Sequence, residues 1–542
     1  MTGGTREPET LDAVIVGAGV AGLYAIHRLR GQGLSVVCVE VADGVGGTWY
    51  WNRYPGVRCD VESIDYSYSF DPALEQEWDW SERYATQPEI LRYLEHVADR
   101  HDLWRSIRFS TRVTSAQFDD ASGHWSVHLD DGGTLTARFV VFATGSLSAA
   151  RTPDIPGLAD FAGRTFHTAR WPHHDVDFAG RRVGIIGTGS SGIQATPILA
   201  RQADHLYVFQ RSANYSIPAN NRPHTPLSRV EYRATYNERR RRSRESGGGS
   251  PHLPHPRNTL EVPAEERRAA YERQWELGGV LFSKTFPDQL RSEEANAEAR
   301  AFFESKVRAM IKDPAVADLL IPRDHPIGTK RICTDSDYYA TFNRGDVTLV
   351  DLRSTPITEI TRTGIRTTVA EYKLDDLILA TGFDAMTGSL AAIDIRGRGG
   401  RTLREAWAAG PVTYLGLGVA GFPNMFVVTG PGSPGVLANM ILAAEHHVDW
   451  IADTIAYLDA NGFATIEAGP DAQDAWVRHC AELADATLFP QANSWYLGAN
   501  VPGKPRVFMP FIGGLGAYRT IVDEVVADGY RGFVLRREEA RS

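Results

Sequence analysis

The sequence predicts an α/β fold of two similar domains, with a helical insertion in the second. Three observations carry that expectation. A strand, a glycine-rich turn, a helix and a second strand follow one another near the start. The same unit recurs in the same frame, with glycines at 187, 189 and 192. From about Pro223 to Pro326 the chain changes to charge-rich segments with helical periodicity.

With 542 residues the chain exceeds what one core organises, so several domains are expected. Hydrophobic residues at 43% and charged residues at 23% are ordinary for a globular protein. The net charge of −10 argues against nucleic acid or an anionic membrane as partner. The one basic run, "ERRRRSRE" at Glu238 to Glu245, is flanked by acids and reads as a solvated helical face. Cys38, Cys59, Cys333 and Cys480 lie far apart. Their spacing excludes a dithiol centre or zinc ribbon, leaves no metal site, and suits a reducing compartment. The longest apolar stretch, "AVIVGAGVAGLYAI", is too short and glycine-rich to span a bilayer and runs into a periodic helix. No targeting segment is read, and the cytoplasm is the expected location.

The first unit, "LDAVIVGAGVAGLYAIHRLRGQGLSVVCVE", turns through Gly17, Gly19 and Gly22 and ends at Glu40. Here the first glycine makes the tight turn and the second lets backbone amides approach a pyrophosphate. The third packs helix on strand. The helix N-terminus favours phosphate, and a carboxylate at Glu40 accepts from ribose hydroxyls. Such a unit is Rossmann-like. In the second, "RRVGIIGTGSSGIQATPILARQADHLYVFQRS", Gly187, Gly189 and Gly192 keep the frame, and Pro197 is expected to kink the helix. Arg211 stands where the ribose-binding acid would be. A guanidinium there pairs with a 2′-phosphate that a carboxylate would repel. The economical assignment is FAD at the first cradle and NADPH at the second.

Two strand exits look alike, both Ala-Thr-Gly, at Ala143 to Gly145 and at Ala380 to Gly382. They read as the points where the chain leaves the first domain and returns to it. The expected division is 1–145 with 380–542 for FAD, 146–221 with 327–379 for NADPH, and 222–326 for the helical insertion. Within the insertion, Phe303, Val307, Met310 and Ile311 recur at helical spacing, and "SGGGSPHLPHP" reads as a loop.

Between the cradles, Phe161, Gly163, His167, Trp171 and Pro172 form F-x-G-x-x-x-H-x-x-x-W-P. That pattern resembles the fingerprint of the type I Baeyer–Villiger monooxygenases. "GGTWYWNRYPGVRCD" (Gly46 to Asp60), "GTKR", "GPGSP" and "SWYLGANVPGKPRVFM" extend the resemblance over essentially the whole chain. The chain looks closest to the branch of phenylacetone and steroid monooxygenases, and "QRSANYSIPA" and "GGVLFSKTFPDQL" look more like its steroid side.

The resemblance implies two half-reactions. NADPH reduces FAD, O2 adds at the flavin C4a carbon as a peroxide, and the peroxide anion converts a ketone to an ester or lactone. Such chemistry needs a cation that keeps its proton, which favours arginine over histidine or lysine. By resemblance that cation is Arg331, positioned by Asp60. Around FAD the resemblance adds Ala21, Thr48, Trp49, Asp60, Tyr66, Val113 and Met440 to Gly17, Gly19, Gly22 and Glu40. Around NADPH it implies Thr188, Ser190, Ser191, Gln194, Ser212, Lys330 and Trp495, beside Gly187, Gly189, Gly192, Arg211 and Arg331. His167 and Trp171 are assigned to coupling the two domains.

The resemblance places Gly435, Val436 and Leu437 at the border of the ketone pocket, and their small or apolar character suits a bulky hydrophobic ketone, aryl or steroidal. The expected assembly is a monomer or small homo-oligomer. Two rivals remain open at this point, an N- or S-oxygenating flavin monooxygenase and a non-catalytic nucleotide-binding redox sensor. A disulfide reductase is excluded by the unpaired cysteines.

Overall fold

A computed structural model describes residues 9–537. Two sheets dominate it. The larger has eight strands, and its parallel centre is built from β1 (Glu9–Val16) between Thr134–Phe142 and β2 (Val36–Val39). The antiparallel run Val113–Asp119, His124–Leu129 and Thr134–Phe142 forms one side of this sheet. The second sheet has five strands and is parallel throughout. In spatial order these are Val347–Asp351, β4 (His205–Gln210), β3 (Arg182–Ile186), Asp376–Leu379 and Arg164–His167. Strands such as "DLIL" at Asp376–Leu379 are buried along their whole length, as a parallel sheet covered on both faces requires.

The chain passes between the sheets at the two Ala-Thr-Gly turns. After Phe142 it runs through Ala143 to Gly145 and next enters a sheet at Arg164. After Leu379 it runs through Ala380 to Gly382, and Met425–Val427 then pairs with Thr134–Phe142 in the larger sheet. The two crossings touch: Ala150 and Phe383 form an antiparallel bridge, and Arg151 N–H donates to the Gly382 carbonyl at 3.0 Å.

Each nucleotide-type unit has its helix where the periodicity puts it, α1 at Val20–Gly31 and α2 at Ser190–Gln202. α2 continues through Pro197 as one helix. The insertion contains α3 (Pro226–Glu245), α4 (Ala264–Leu277) and α5 (Glu293–Met310). Thr225 and Ser228 form a capping box at the start of α3, and the Ser292 hydroxyl accepts from Ala295 N–H at the start of α5. Phe303, Val307 and Ile311 are buried as their spacing predicts.

The basic run departs from expectation. Arg240 is 3% exposed; its Nε donates to Glu75 at 2.8 Å and its other nitrogens to Ser67 Oγ and the Asp65 carbonyl. Arg239 pairs with Asp65 and Glu62, and Arg244 donates to Ser69 Oγ. Only Arg241 and Arg242 point to solvent, beside Glu238 and Glu245. The cause is the acid-bearing segment from Glu62 to Glu75, which packs on this face of α3. The run is the joint that fastens α3 to that segment. Removing one member of such a buried pair costs about 3–5 kcal/mol.

Candidate active site

In the first cradle Gly17 has φ +103°, a conformation that side chains rarely adopt. A Cβ at Gly22 would lie 1.8 Å from the Gly17 carbonyl oxygen. A Cβ at Gly19 would meet the Gly47 Cα at 3.4 Å, so the "GGTWYW" segment roofs the turn. Glu40 is 5% exposed, and its two carboxylate oxygens accept from Ala18 N–H at 2.7 Å and Ala42 N–H at 2.8 Å. Burial raises its pKa, and these amide donors oppose the rise. The acid thus holds the turn in place and keeps further lone pairs available.

The second cradle repeats the backbone and opens the front. Gly187 has φ +113°, and a Cβ at Gly192 would lie 2.1 Å from the Gly187 carbonyl oxygen. A Cβ at Gly189 would meet nothing within 4 Å. Thr188 Oγ1 donates to the Ser212 carbonyl at 2.8 Å, tying the turn to the residue after Arg211. Arg211 is exposed, and its own carbonyl accepts from Arg353 Nε at 3.0 Å. Lys330 Nζ lies 3.7 Å from Asp324, which also holds Arg353 at 2.7 Å. Burial lowers the Lys330 pKa against the pull of Asp324, and the Arg211 charge lowers it further. This is a cluster of cations around one carboxylate, suited to a phosphate dianion. Both cradles therefore fit a dinucleotide, and the second fits one with an additional phosphate.

Two cavities meet at the centre. One, of about 930 Å³, runs along Thr188, Ser190, Ser191, Gln194, Arg211 and Ser212 to Thr48, Trp49, Tyr66, Met440 and Trp495. The other, of about 840 Å³, lies between the insertion and the first domain. Asp60, Val61, Lys330, Arg331 and Ala438 line both. Arg331 is held in a two-pronged pair: Nε donates to Asp60 Oδ2 at 2.9 Å and Nη2 to Oδ1 at 2.7 Å. Nη1 donates to the Val436 carbonyl at 3.0 Å. Burial pulls the guanidinium down, but the Asp60 carboxylate outweighs it and holds Arg331 above the ordinary arginine range. A fixed, permanently charged group thus stands in the wall between the cavities.

Gly435–Leu437 forms a short 3₁₀ turn. Val436 faces the first cavity and Leu437 the second, while Gly435 lines neither. Trp49 Nε1 donates to the Tyr66 hydroxyl at 3.2 Å. Gly17, Gly19, Ala21, Gly22, Glu40 and Val113 lie outside both cavities. Val113 is buried in the same core cluster as Val16 and Val39, at the ends of β1 and β2.

His167 is not in the site. Its Nδ1 accepts from Ala169 N–H at 3.0 Å, so Nε2 carries the proton and donates to the Arg151 carbonyl at 3.1 Å. Nε2 is also 3.4 Å from Thr381 Oγ1, and Thr381 itself donates to Arg151 at 2.6 Å. The ring thereby joins both inter-sheet crossings. Burial lowers its pKa, which keeps it neutral. Trp171 stacks on Phe166 with ring centres 5.2 Å apart.

Sequence reasoning missed several groups at these cavities. Tyr54 Oη donates to Gln194 at 2.8 Å, and Gln194 donates to the Arg58 carbonyl at 3.1 Å, linking α2 to the "RYPGVRCD" segment. Lys284 and His252 line the second cavity. Nothing in their local pattern separates them from surface residues; only the packing of the insertion brings them there.

The fold and the two cradles are those of a protein that binds two dinucleotides, and a flavin-binding monooxygenase-like family model matches residues 12–226. That match covers both cradles and the connector. A Baeyer–Villiger monooxygenase of Pseudooceanicola batsensis is 43% identical over 532 residues, 97% of this chain and 96% of its own length. A solved structure of an oxidised steroid monooxygenase bound to NADP is 65% identical, with TM-score 0.94, covering 98% of this chain and 100% of that one. A phenazine N-monooxygenase of Lysobacter antibioticus is 41% identical over 539 residues, 97% of each chain. The chain belongs to the type I Baeyer–Villiger monooxygenase family.

Proposed function

We propose that the chain converts bulky hydrophobic ketones, aryl or steroidal, to esters or lactones, using NADPH and O2 with FAD as resident cofactor. The observation that carries this reading is the Asp60-bound Arg331 at the meeting of the two cavities. FAD reduced by NADPH supplies the activation of oxygen. The chain's own residues hold the charges and exclude water. Arg331 stays protonated and stabilises the negative charge that grows on the ketone oxygen as its carbonyl carbon is attacked. Asp60 fixes the guanidinium plane and keeps it from wandering into either cavity.

Gly17, Gly19, Ala21, Gly22 and Glu40 hold the FAD pyrophosphate and ribose in this reading, and Val113 the adenine side. Thr48, Trp49, Tyr66 and Met440 face its ring system. Gly187 to Gly192 with Gln194, Arg211, Ser212 and Lys330 hold NADPH, and Trp495 covers it. His167 and Trp171 couple the domains, which we divide at the two Ala-Thr-Gly crossings: 1–145 with 380–542, 146–221 with 327–379, and the insertion 222–326. Residues 1–8 and 538–542 of the first lie outside the described residues.

Leu437, Phe286, Leu290, Phe489 and Phe511 give the 840 Å³ cavity apolar walls and room for a large ketone. The four cysteines are buried and unpaired, which fits the cytoplasm. Among the described residues no helix is long and apolar enough to cross a membrane. NADPH consumption and product mass with phenylacetone, progesterone and short linear ketones test the substrate class. Activity confined to the short ketones would overturn it. N-oxygenation is a second reading, favoured by the phenazine N-monooxygenase relative. An amine N-oxide formed with no ester from any ketone would select it.

A further inference from the structure

The 840 Å³ cavity also presents a lysine and a histidine on the insertion side. Lys284 ends the 3₁₀ segment Val280–Lys284, and His252 lies in the glycine-rich loop after α3. A Cβ at Gly248 would come within 2.7 Å of Lys284 Nζ, so this loop packs against the ammonium group. Among the described residues the Lys284 ammonium has no hydrogen bond or ion pair. His252 Nε2 is buried and equally without a partner.

The carboxylates in the same wall do not supply one. Asp60 is held by Arg331, Glu62 by Arg83 and Arg239, Asp65 by Arg239, and Glu238 by Arg241. Burial lowers the Lys284 pKa to about 8, and the Arg331 charge adds to the fall. Burial, then the Lys284 charge, lowers that of His252. An ammonium offers three donors and no acceptor, so this half-buried group, facing the cavity beside other cations, is free to bind an oxygen acceptor.

We infer that Lys284, with His252 beside it, is a second substrate anchor. It takes an oxygen acceptor other than the reacting carbonyl, so the preferred substrates are ketones bearing a second carbonyl or a carboxylate. This rests on the ketone-oxidising function proposed above. Arg331 binds the oxygen that reacts, while Lys284 binds the one that does not and fixes how the ketone lies.

The test uses the FAD-loaded protein with NADP⁺ and three ligands: phenylacetone, its para-acetyl analogue and its para-carboxylate analogue. Calorimetric Kd values are measured for each ligand, and turnover with NADPH is followed in parallel. One charge-assisted hydrogen bond predicts about tenfold tighter binding of an acceptor-bearing analogue than of phenylacetone. Lys284→Met removes that preference, and Lys284→Arg retains most of it. FAD content and melting temperature confirm that both variants are folded.

A preference for the carboxylate alone makes the anchor ionic, and a preference for both analogues makes it a general oxygen acceptor site. Equal affinities for all three ligands in the wild type would overturn the inference. So would equal loss of preference in the Met and Arg variants. Ketone oxidation at ordinary rates with no such preference removes the anchor and leaves the proposed function standing. Discriminating binding with no turnover of any ketone does the reverse.

Discussion

The two nucleotide cradles share a backbone and differ at the front. In the first, Gly47 roofs the turn and Glu40 is buried against Ala18 and Ala42. In the second, the space before Gly189 is open and Arg211 is exposed. One motif has been finished in two ways. A closed cradle with an acid suits a cofactor that stays, whereas an open one with cations suits a nucleotide that arrives, reacts and leaves. Where the two cavities meet, Arg331 is bound to Asp60, a residue of the "GVRCD" segment. In the proposed function, the charge that acts on the ketone therefore belongs to the junction and not to either cradle.

Arg331→Ala is the strongest attempt to break that distinction. Loss of a preorganised charge donor predicts a fall of about 10²- to 10³-fold in ester formation. NADPH oxidation, followed at 340 nm, is expected to continue. If the fall were entirely in the KM for NADPH, Arg331 would belong to the second cradle. Arg211→Ala comes next. Without its guanidinium the preference for NADPH over NADH drops about tenfold or more, the worth of one charge-assisted contact. Steady-state kinetics with both nucleotides read this, and an unchanged ratio would remove the 2′-phosphate assignment.

Gly189→Ala sharpens the comparison further. Its methyl group meets no protein atom, so the melting temperature is expected to stay within about 1 °C. The KM for NADPH rises several-fold, because the methyl occupies the nucleotide's side of the turn. Gly192→Ala instead collides with the Gly187 carbonyl and destabilises the fold.

The smallest effect concerns Glu40. Its folded pKa is raised by burial, so the folded state binds the proton more tightly than the unfolded chain. The stability contributed by the protonated form is complete below the unfolded value near 4.5 and is lost as pH rises through the folded one. Glu40→Gln flattens that part of a melting-temperature profile, and a slope of the opposite sign would contradict the raised pKa.

What was legible in the sequence follows the same division. The cradles could be read because glycine spacing, strand hydrophobicity and the terminal residue each have a local physical cause. α3, α4 and α5 followed from periodicity, and the two sheet crossings from their repeated small-residue exits. The pairing of Arg331 with Asp60 was carried by resemblance, since 271 positions separate the two and no local rule joins them. The basic run of α3 was misread for a related reason. Composition there is that of a solvated helix, and only the arrival of Glu62, Asp65 and Glu75 turns Arg239 and Arg240 inward. Lys284 and His252 were invisible because their role depends on which partners they lack.

The most direct measurement is mass spectrometry of the product formed from NADPH, ¹⁸O2 and phenylacetone by the wild type and by Arg331→Ala. The account predicts an ester carrying one labelled atom from the wild type. From the variant it predicts NADPH consumption with little or no labelled ester. Labelled ester at comparable yield from both would contradict the central claim that Arg331 stabilises the charge formed as oxygen enters the ketone.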